Sequence, residues 1–251
     1  MSPLEALAVF AAGIGAGTIN TVVGSGTLLT FPVLLGIGYA PVVANVSNTI
    51  GLVPGSVSGA WGYRHELAGQ RDHAVALGIA GTAGGLTGAV LLLVLPASAF
   101  TAIVPVFIVL ALVLIVVQPR LARMMEPAPG RPEAANRPAA MVAVFASGVY
   151  GGYFGAAQGI LLLAILGILV HDDVHRANAL KNVLAGVVNL VAALVFIAVA
   201  KVAWAPVALL AAGSVIGGQV GARFGRRLPP VALRALVVAV GAVAILRLVG
   251  G

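Results

Sequence analysis

The sequence predicts an all-α membrane protein, a polytopic helical bundle of two inverted repeats. We expect about five apolar segments in each repeat, with one short or broken helix per half. Composition indicates the membrane, because 61% of the 251 residues are hydrophobic and only 8% are charged. No soluble core requires so much apolar surface. The clearest span, residues 98–118, carries no charge. At about 1.5 Å per residue it would cross a hydrocarbon core of about 30 Å.

An internal repeat divides the chain into two halves. AVFAAG at 8–13 returns as AVFASG at 143–148, and after a two-residue slip the matching positions lie 133 residues apart. At that offset Gly26 matches Gly159, and Asn45 matches Asn178. Chance does not readily produce a near-constant offset across several segments. We therefore predict an N-terminal transmembrane repeat (1–118), a charged, Pro-rich linker (119–138) and a C-terminal transmembrane repeat (139–251).

Ten apolar segments follow one another along the chain. The second and the seventh are too short to cross the bilayer as ordinary helices. Backbone breaks at membrane depth are tolerated only where protein buries them or where they line a watery cavity. Whether these two segments cross the membrane or re-enter it stays open. The approximate segments are 4–23, 26–38, 42–63, 73–95, 98–118, 139–155, 159–170, 177–199, 203–222 and 230–249.

The basic residues favour one topology. With five crossings per half, eleven of them fall on the side of the linker, and only Lys201 and Arg247 fall on the other. Four crossings per half would give eight against five. The positive-inside rule therefore favours the inverted arrangement, with both termini outside and a cytoplasmic linker, in a bacterial-type inner membrane. Transporters with inverted repeats and broken helices bind substrate at the repeat interface.

The stretch from 177 to 189 carries a polar stripe. Asn178, Lys181, Asn182 and Asn189 lie three, four and seven residues apart, so they share one helix face. A lysine and amides are costly on a lipid-embedded helix unless they face a cavity or pathway. Lys181 is therefore predicted to be an anion ligand or a titrating group coupled to transport. The alternative is that it snorkels to the nearby cytoplasmic end of its helix.

The stretch from 44 to 56 has the same form. Asn45, Asn48, Thr49 and Ser56 share one face, and we expect this stripe to meet the stripe of Lys181 at a common centre. The alternative is that these polar groups only form hydrogen bonds between packed helices.

Two glycine-rich breaks, at 24–26 and 155–159, open the short segments. A helix that starts at Gly26 or Gly159 would direct free N–H groups and the positive end of its dipole towards the centre. Close helix packing also uses glycine, so this reading stands beside the functional one. Three side chains beside the breaks could add hydrogen bonds: Ser25, Thr27 and Gln158.

Other chemistry has little support in the sequence. The chain has no cysteine, no P-loop, and no HExxH or GxSxG motif. The cluster His171-Asp172-Asp173-Val174-His175 resembles a metal site, but at a loop and helix start it is more typical of capping. The net charge of +7 lies mostly in short loops, which indicates membrane topology rather than nucleic-acid binding. We predict no catalytic residue, no metal and no cofactor.

Residues 17–51 resemble the signature of the sulfite exporter TauE/SafE family. That family typically has a glycine-rich run, an apolar segment with Pro and then Leu, and a helix that opens with Ala and small polar residues. Gly24-Ser25-Gly26, Pro32-Val33-Leu34 and Ala44-Asn45 occupy these places here, although neither half has an unbroken glycine run. The resemblance covers almost the whole chain. It implies transport of sulfur-containing anions such as sulfite, thiosulfate or organosulfonates.

The favoured function is secondary transport of a small anion by alternating access at the repeat interface. An anion-selective channel is the alternative, because it would share the lining but conduct without coupling. The partners are then the small anionic substrate, the lipid bilayer and a possible coupling ion such as H+. The anion, the direction of transport and the oligomeric state stay open. The candidate substrate-binding residues are Ser25, Gly26, Thr27, Asn45, Asn48, Thr49, Gln158, Gly159, Asn178, Lys181, Asn182 and Asn189.

Overall fold

The computed structural model describes residues 1–124, 137–170, 174–225, 235 and 237–242, and every regular element in these ranges is a helix. Most of the predicted linker, residues 171–173 and most of the predicted tenth segment lie outside the described residues. The helices are α1 (Pro3–Val22), α2 (Thr27–Gly36), α3 (Pro41–Gly62), α4 (Arg71–Val94), α5 (Ala97–Met124), α6 (Arg137–Tyr153), α7 (Gln158–Ile165), α8 (Val174–Val199) and α9 (Trp204–Phe224).

The helix bounds follow the predicted segments closely. Both short segments are confirmed, with ten residues in α2 and eight in α7, which continues as a π-helix over Leu166–Val170. Helix α1 begins with a capping box. The hydroxyl of Ser2 accepts from the Glu5 N–H, and the carboxylate of Glu5 accepts from the Ser2 N–H. One bound differs from the prediction, because α5 continues past residue 118 to Met124.

Five of the described helices, α1, α4, α5, α8 and α9, are long and apolar enough to cross a membrane. Large apolar side chains on their outer faces are exposed, among them Ile79, Val106 and Val116. Such faces are unfavourable in water and favourable in lipid. The composition and the surface therefore agree on an integral membrane protein.

Helices of the two halves pack against each other reciprocally. The first helix of each half packs on the fourth helix of the other half, so α1 contacts α9 and α6 contacts α4. The third helices, α3 and α8, contact each other, and each also contacts a fourth helix of the opposite half. The two halves are therefore interleaved rather than side by side.

Glycine contacts define the direction of the packed helices. Gly13 of α1 approaches Leu210 of α9, and farther along both helices Gly17 approaches Ser214, so these helices run in the same direction. Gly51 and Gly55 of α3 approach the same two residues of α9 in the same order. Helices α1, α3 and α9 are consequently parallel.

Glycines of α4 and α9 let these helices pack closely against their neighbours. A methyl group at Gly88 of α4 would clash with the backbone carbonyl of Val149 and lie 2.7 Å from the nitrogen of Tyr153 on α6. A methyl group at Gly217 of α9 would likewise clash with the backbone carbonyl of Ile14 on α1. Backbones approach this closely only where both surfaces carry small residues.

We expect Gly88→Ala to destabilise the protein by about 2 kcal/mol, because the neighbouring backbone must shift to admit the methyl group. Gly78→Ala, on the same helix, is the matched control, since a methyl group there would meet nothing within 4 Å. This control should be neutral or stabilising by about 0.5–1 kcal/mol through helix propensity. Thermal unfolding of both variants in detergent measures the difference. Equal stabilities would contradict the tight α4–α6 contact.

Candidate functional site

The two helix breaks end their helices in the same way. At the end of α1 the N–H groups of Val23 and Gly24 both donate to the carbonyl of Ile19. At the end of α6 two successive N–H groups donate likewise to the carbonyl of Tyr150. The turns need left-handed backbone, with φ of 90° at Gly24 and 75° at Gly155. Glycine adopts this conformation at little cost and is the usual residue just past a helix end.

The breaks meet each other. The N–H of Gly159 donates to the carbonyl of Gly24 at 3.1 Å. A methyl group on either glycine would lie 2.5 Å from the Cα of the other. Only a pair of glycines permits this approach, so the two breaks can touch because both residues lack a side chain.

The N–H groups at both helix starts already have partners. Sequence reasoning predicts that Gly26 and Gly159 present free N–H groups, but in this conformation the side-chain oxygen of Asn20 accepts from Gly26 at 3.1 Å. The N–H of Gly159 is bound by Gly24, as described above. The fields of the two helix starts still point into the contact region. An incoming anion would have to replace these internal acceptors.

Lys181 is buried between α8 and α1. Its exposed fraction is 1%, and its Nζ donates to the carbonyls of Asn20 at 3.1 Å and Thr21 at 3.2 Å. These carbonyls belong to the last turn of α1, where carbonyl groups lack helical partners and carry partial negative charge. The ammonium group does not extend to the surface of the described structure, so the snorkelling alternative is wrong in this conformation.

Two amides of the stripe converge on the same carbonyl. Asn178 and Asn182 donate to the oxygen of Thr21 at 3.3 and 3.4 Å. The side-chain oxygen of Asn178 is buried without a partner among the described residues. A buried acceptor without a partner is costly, so it calls for an explanation such as a functional role or a bound water molecule.

A small cavity lies beside Lys181 at the contact of the breaks. Its volume of about 10 Å³ is close to the minimum that a single water molecule needs. Among the residues that the structure describes, Lys181 is the one charged residue in its lining, and an oxyanion would not fit beside it in this conformation. The lining residues are Asn20, Thr21, Gly24, Ser56, Gly159, Lys181, Asn182 and Ala185.

The stripe on α3 divides between two places. Ser56 reaches the Lys181 cavity, whereas Asn45 donates to the carbonyl of Tyr153 at 2.9 Å, at the end of α6. Asn48 accepts from the hydroxyl of Thr30 and donates to that of Thr27 at 3.3 Å. The first part of this stripe therefore forms hydrogen bonds between helices, as the alternative reading predicts.

The remaining predicted residues also lie apart from the cavity. Thr49 donates to the carbonyl of Asn45 on its own helix at 3.0 Å, and Gln158 donates to the carbonyl of Ser147 at 3.2 Å. Ser25 is buried, and its hydroxyl has no hydrogen-bond partner in the ranges that the structure describes. Asn189 is half-buried outside the cavity lining. Only Gly159, Lys181 and Asn182 of the twelve predicted residues line the cavity.

Sequence reasoning missed Asn20 and Thr21. Both residues line the cavity, and both supply carbonyls to Lys181. A signal was available, because these polar residues stand in the last turn of a largely apolar helix, shortly before a glycine break. Among the residues that the structure describes, His, Asp and Glu form no group of three that could hold a metal ion.

Similarity to known proteins identifies the family of this chain. A profile described as "Sulfite exporter TauE/SafE" matches residues 9–248. "Probable membrane transporter protein YfcA" of Escherichia coli K12 is 28% identical over 249 residues, covering 97% of this chain and 89% of the relative. "Probable membrane transporter protein ORF9" of a Sinorhizobium species is 24% identical over 216 residues, covering 86% and 81%. No solved structure matches the chain. Because the profile spans nearly all of it, the chain belongs to the sulfite exporter TauE/SafE family and is a membrane transporter.

Proposed function

We propose that this protein is a secondary transporter of a small anion, a sulfur oxyanion or an organosulfonate, which works by alternating access between two inverted halves. The observation that carries the proposal is the buried ammonium group of Lys181 at the contact of two helix breaks. A buried cation is expensive unless it has a counter-charge, and within the described part of the chain its hydrogen-bond partners are two carbonyls, which carry only partial charge. An anionic substrate would supply the full charge.

The contacts between the halves support the inverted arrangement. The end of α1, at Thr21, meets the beginning of α8 at Asn178. The end of α6, at Tyr153, meets the beginning of α3 at Asn45. Since α1 and α3 are parallel, equivalent helices of the two halves run in opposite directions. A twofold axis in the membrane plane relates repeats of this kind.

The positions of charged residues support a cytoplasmic linker. Arg71 and Arg137 line one groove, at the starts of α4 and α6. Arg176, at the start of α8, donates to the carbonyl of Ala68 in the segment just before α4. Lys201 lies just before α9, in a groove with Val42 at the start of α3, and therefore near the opposite end of the bundle. This asymmetry fits an inner-membrane protein with the arginine-rich end in the cytoplasm.

The small cavity supports a carrier over a continuously open channel. Substrate binding would require the last turn of α1 to move, so that the carbonyls of Asn20 and Thr21 release Lys181. Gly24, the left-handed residue directly after this turn, would absorb much of the change in backbone angle. Access would then alternate as one half moves against the other.

The single ammonium group favours a monovalent substrate. A monoanion neutralises Lys181, whereas a dianion leaves an uncompensated buried charge, which costs several kcal/mol. We expect methanesulfonate to support counterflow at least about tenfold better than sulfate, since their negative groups are similar in size and differ in charge. Proteoliposomes loaded with unlabelled anion would be assayed for accelerated uptake of the labelled anion.

That assay, together with a recording of unitary currents, decides different parts of the proposal. Equal counterflow with both anions would refute the charge argument and leave the carrier standing. Large unitary currents without counterflow would instead establish the channel. Counterflow of carboxylates but of no sulfur anion would refute the substrate class. Repeating the assay across a pH gradient tests protons as the coupling ion.

A further inference from the structure

A groove at the surface between α4 and α6 has a polar rim and apolar walls. Its volume is about 590 Å³. Arg71 and Arg137 stand at its rim, each at the first residue of its helix, together with Asp72. Helices α4 and α6 run in parallel, and the Gly84–Phe145 and Gly88–Val149 contacts place Arg137 beside Ala76 of α4. Arg137 therefore lies about five residues, roughly 7 Å, deeper along the groove than Arg71, a gap that two long side chains can close.

The walls below the arginines are apolar and open to the outside. Val75 and Ile79 are 56% and 63% exposed, and they follow Arg71 by one and two turns of α4. Met141 stands one turn below Arg137 on α6. At about 1.5 Å per residue the wall of α4 extends roughly 12 Å below the level of Arg71. In a membrane protein this surface faces hydrocarbon, with Arg71 at the level of the headgroups and Arg137 at the boundary below it.

The charge of the groove suits one phosphodiester. Two arginines and Asp72 give the rim a net charge of +1, and guanidinium groups bind phosphate oxygens through paired hydrogen bonds. Asp72 lies in the first turn of α4, where it also interacts favourably with the helix dipole. Basic pockets between transmembrane helices are typical sites for anionic lipid headgroups.

We propose that this groove binds an anionic glycerophospholipid. Its phosphate lies between Arg71 and Arg137, and one acyl chain follows Val75 and Ile79 into the membrane. The site is separate from the Lys181 cavity and does not depend on the transported anion. Binding requires both parts of the lipid, because the arginines of the rim bind the phosphate and the apolar walls bind the acyl chain.

Native mass spectrometry of the full-length protein tests the site. The probes are phosphatidylglycerol and phosphatidylcholine with identical acyl chains, and the variant is Arg71→Gln with Arg137→Gln. At about 1 kcal/mol for each basic residue, we expect at least a tenfold loss of phosphatidylglycerol affinity and little change for phosphatidylcholine. The control is Arg64→Gln with Arg223→Gln, which removes the same charge from exposed positions outside the groove.

Three results would overturn the proposal. They are equal losses in the two double variants, no preference for phosphatidylglycerol in the unchanged protein, and displacement of the lipid by soluble glycerol phosphate. The last result would assign the arginines to a free phosphate instead. Ile79→Asn checks the wall without disturbing the core, since this side chain is exposed. We expect this variant to weaken the binding of both lipids at least about threefold.

Discussion

Replacing Gly24 by alanine is expected to prevent stable folding or to lower stability by about 3 kcal/mol or more. The methyl group would lie 2.5 Å from the Cα of Gly159, and it would also approach the backbone nitrogen of Ile160. Both neighbours are backbone atoms of α7, so neither can rotate away, and overpacking of this kind costs roughly 1–3 kcal/mol. The left-handed φ of 90° adds about 1 kcal/mol for any residue with a Cβ. Thermal unfolding and the monodisperse fraction in detergent would measure the loss.

Gly38→Ala is the control that separates the two causes. Gly38 has a φ of 97°, but a methyl group there would meet nothing within 4 Å. This variant should lose only the conformational part, about 1 kcal/mol. If Gly24→Ala were no worse than Gly38→Ala, the two helix breaks would not touch, and the geometry of the candidate site would be wrong.

The sequence is enough to predict the breaks and the helices around them. Segments too short to cross a membrane, each opened by glycines, identify α2 and α7, and the structure confirms both. The repeat offset pairs Gly26 with Gly159 as equivalent positions. The contact, however, joins Gly159 to Gly24, which is not its equivalent. A repeat relates positions in sequence, but packing of the halves decides which atoms touch.

Helical periodicity alone does not predict that the α3 stripe divides between two places. Asn45 and Ser56 share a face, but eleven residues separate them by about 16 Å along the helix. Ser56 therefore reaches α8 near Gly186, whereas Asn45 lies at the end of α6. Periodicity assigns a face, and the crossing of helices selects which part of that face meets each neighbour.

Backbone groups were the least predictable part of the site. Lys181 is held by the carbonyls of Asn20 and Thr21, and every residue type carries such a carbonyl. Which carbonyls lack partners depends on where α1 ends, and helix ends are read from sequence only to within a few residues. The lysine was therefore predictable as a site residue, but its present partners were not.

Replacing Lys181 by methionine is expected to abolish anion counterflow while the protein stays folded. Methionine has similar length and removes the charge, so the described lining of the cavity loses its cation. Losing about 3 kcal/mol of anion binding corresponds to a loss of roughly a hundredfold in affinity. Folding should survive because the carbonyl of Thr21 keeps the amides of Asn178 and Asn182 as donors. Relief from burying an ammonium group offsets the bond lost at Asn20.

Lys201→Met provides the matched control for this variant. Lys201 is the other lysine of the chain and is exposed just before α9. The Lys201→Met variant removes the same charge and should keep counterflow within about twofold of the unchanged protein, since exposed charges are screened by solvent and salt. Lys181→Arg should recover part of the activity, because it restores the charge with a bulkier group. Unchanged counterflow and affinity in a well-folded Lys181→Met protein would remove this residue from the mechanism. The buried ammonium would then have only a structural role between α8 and the end of α1.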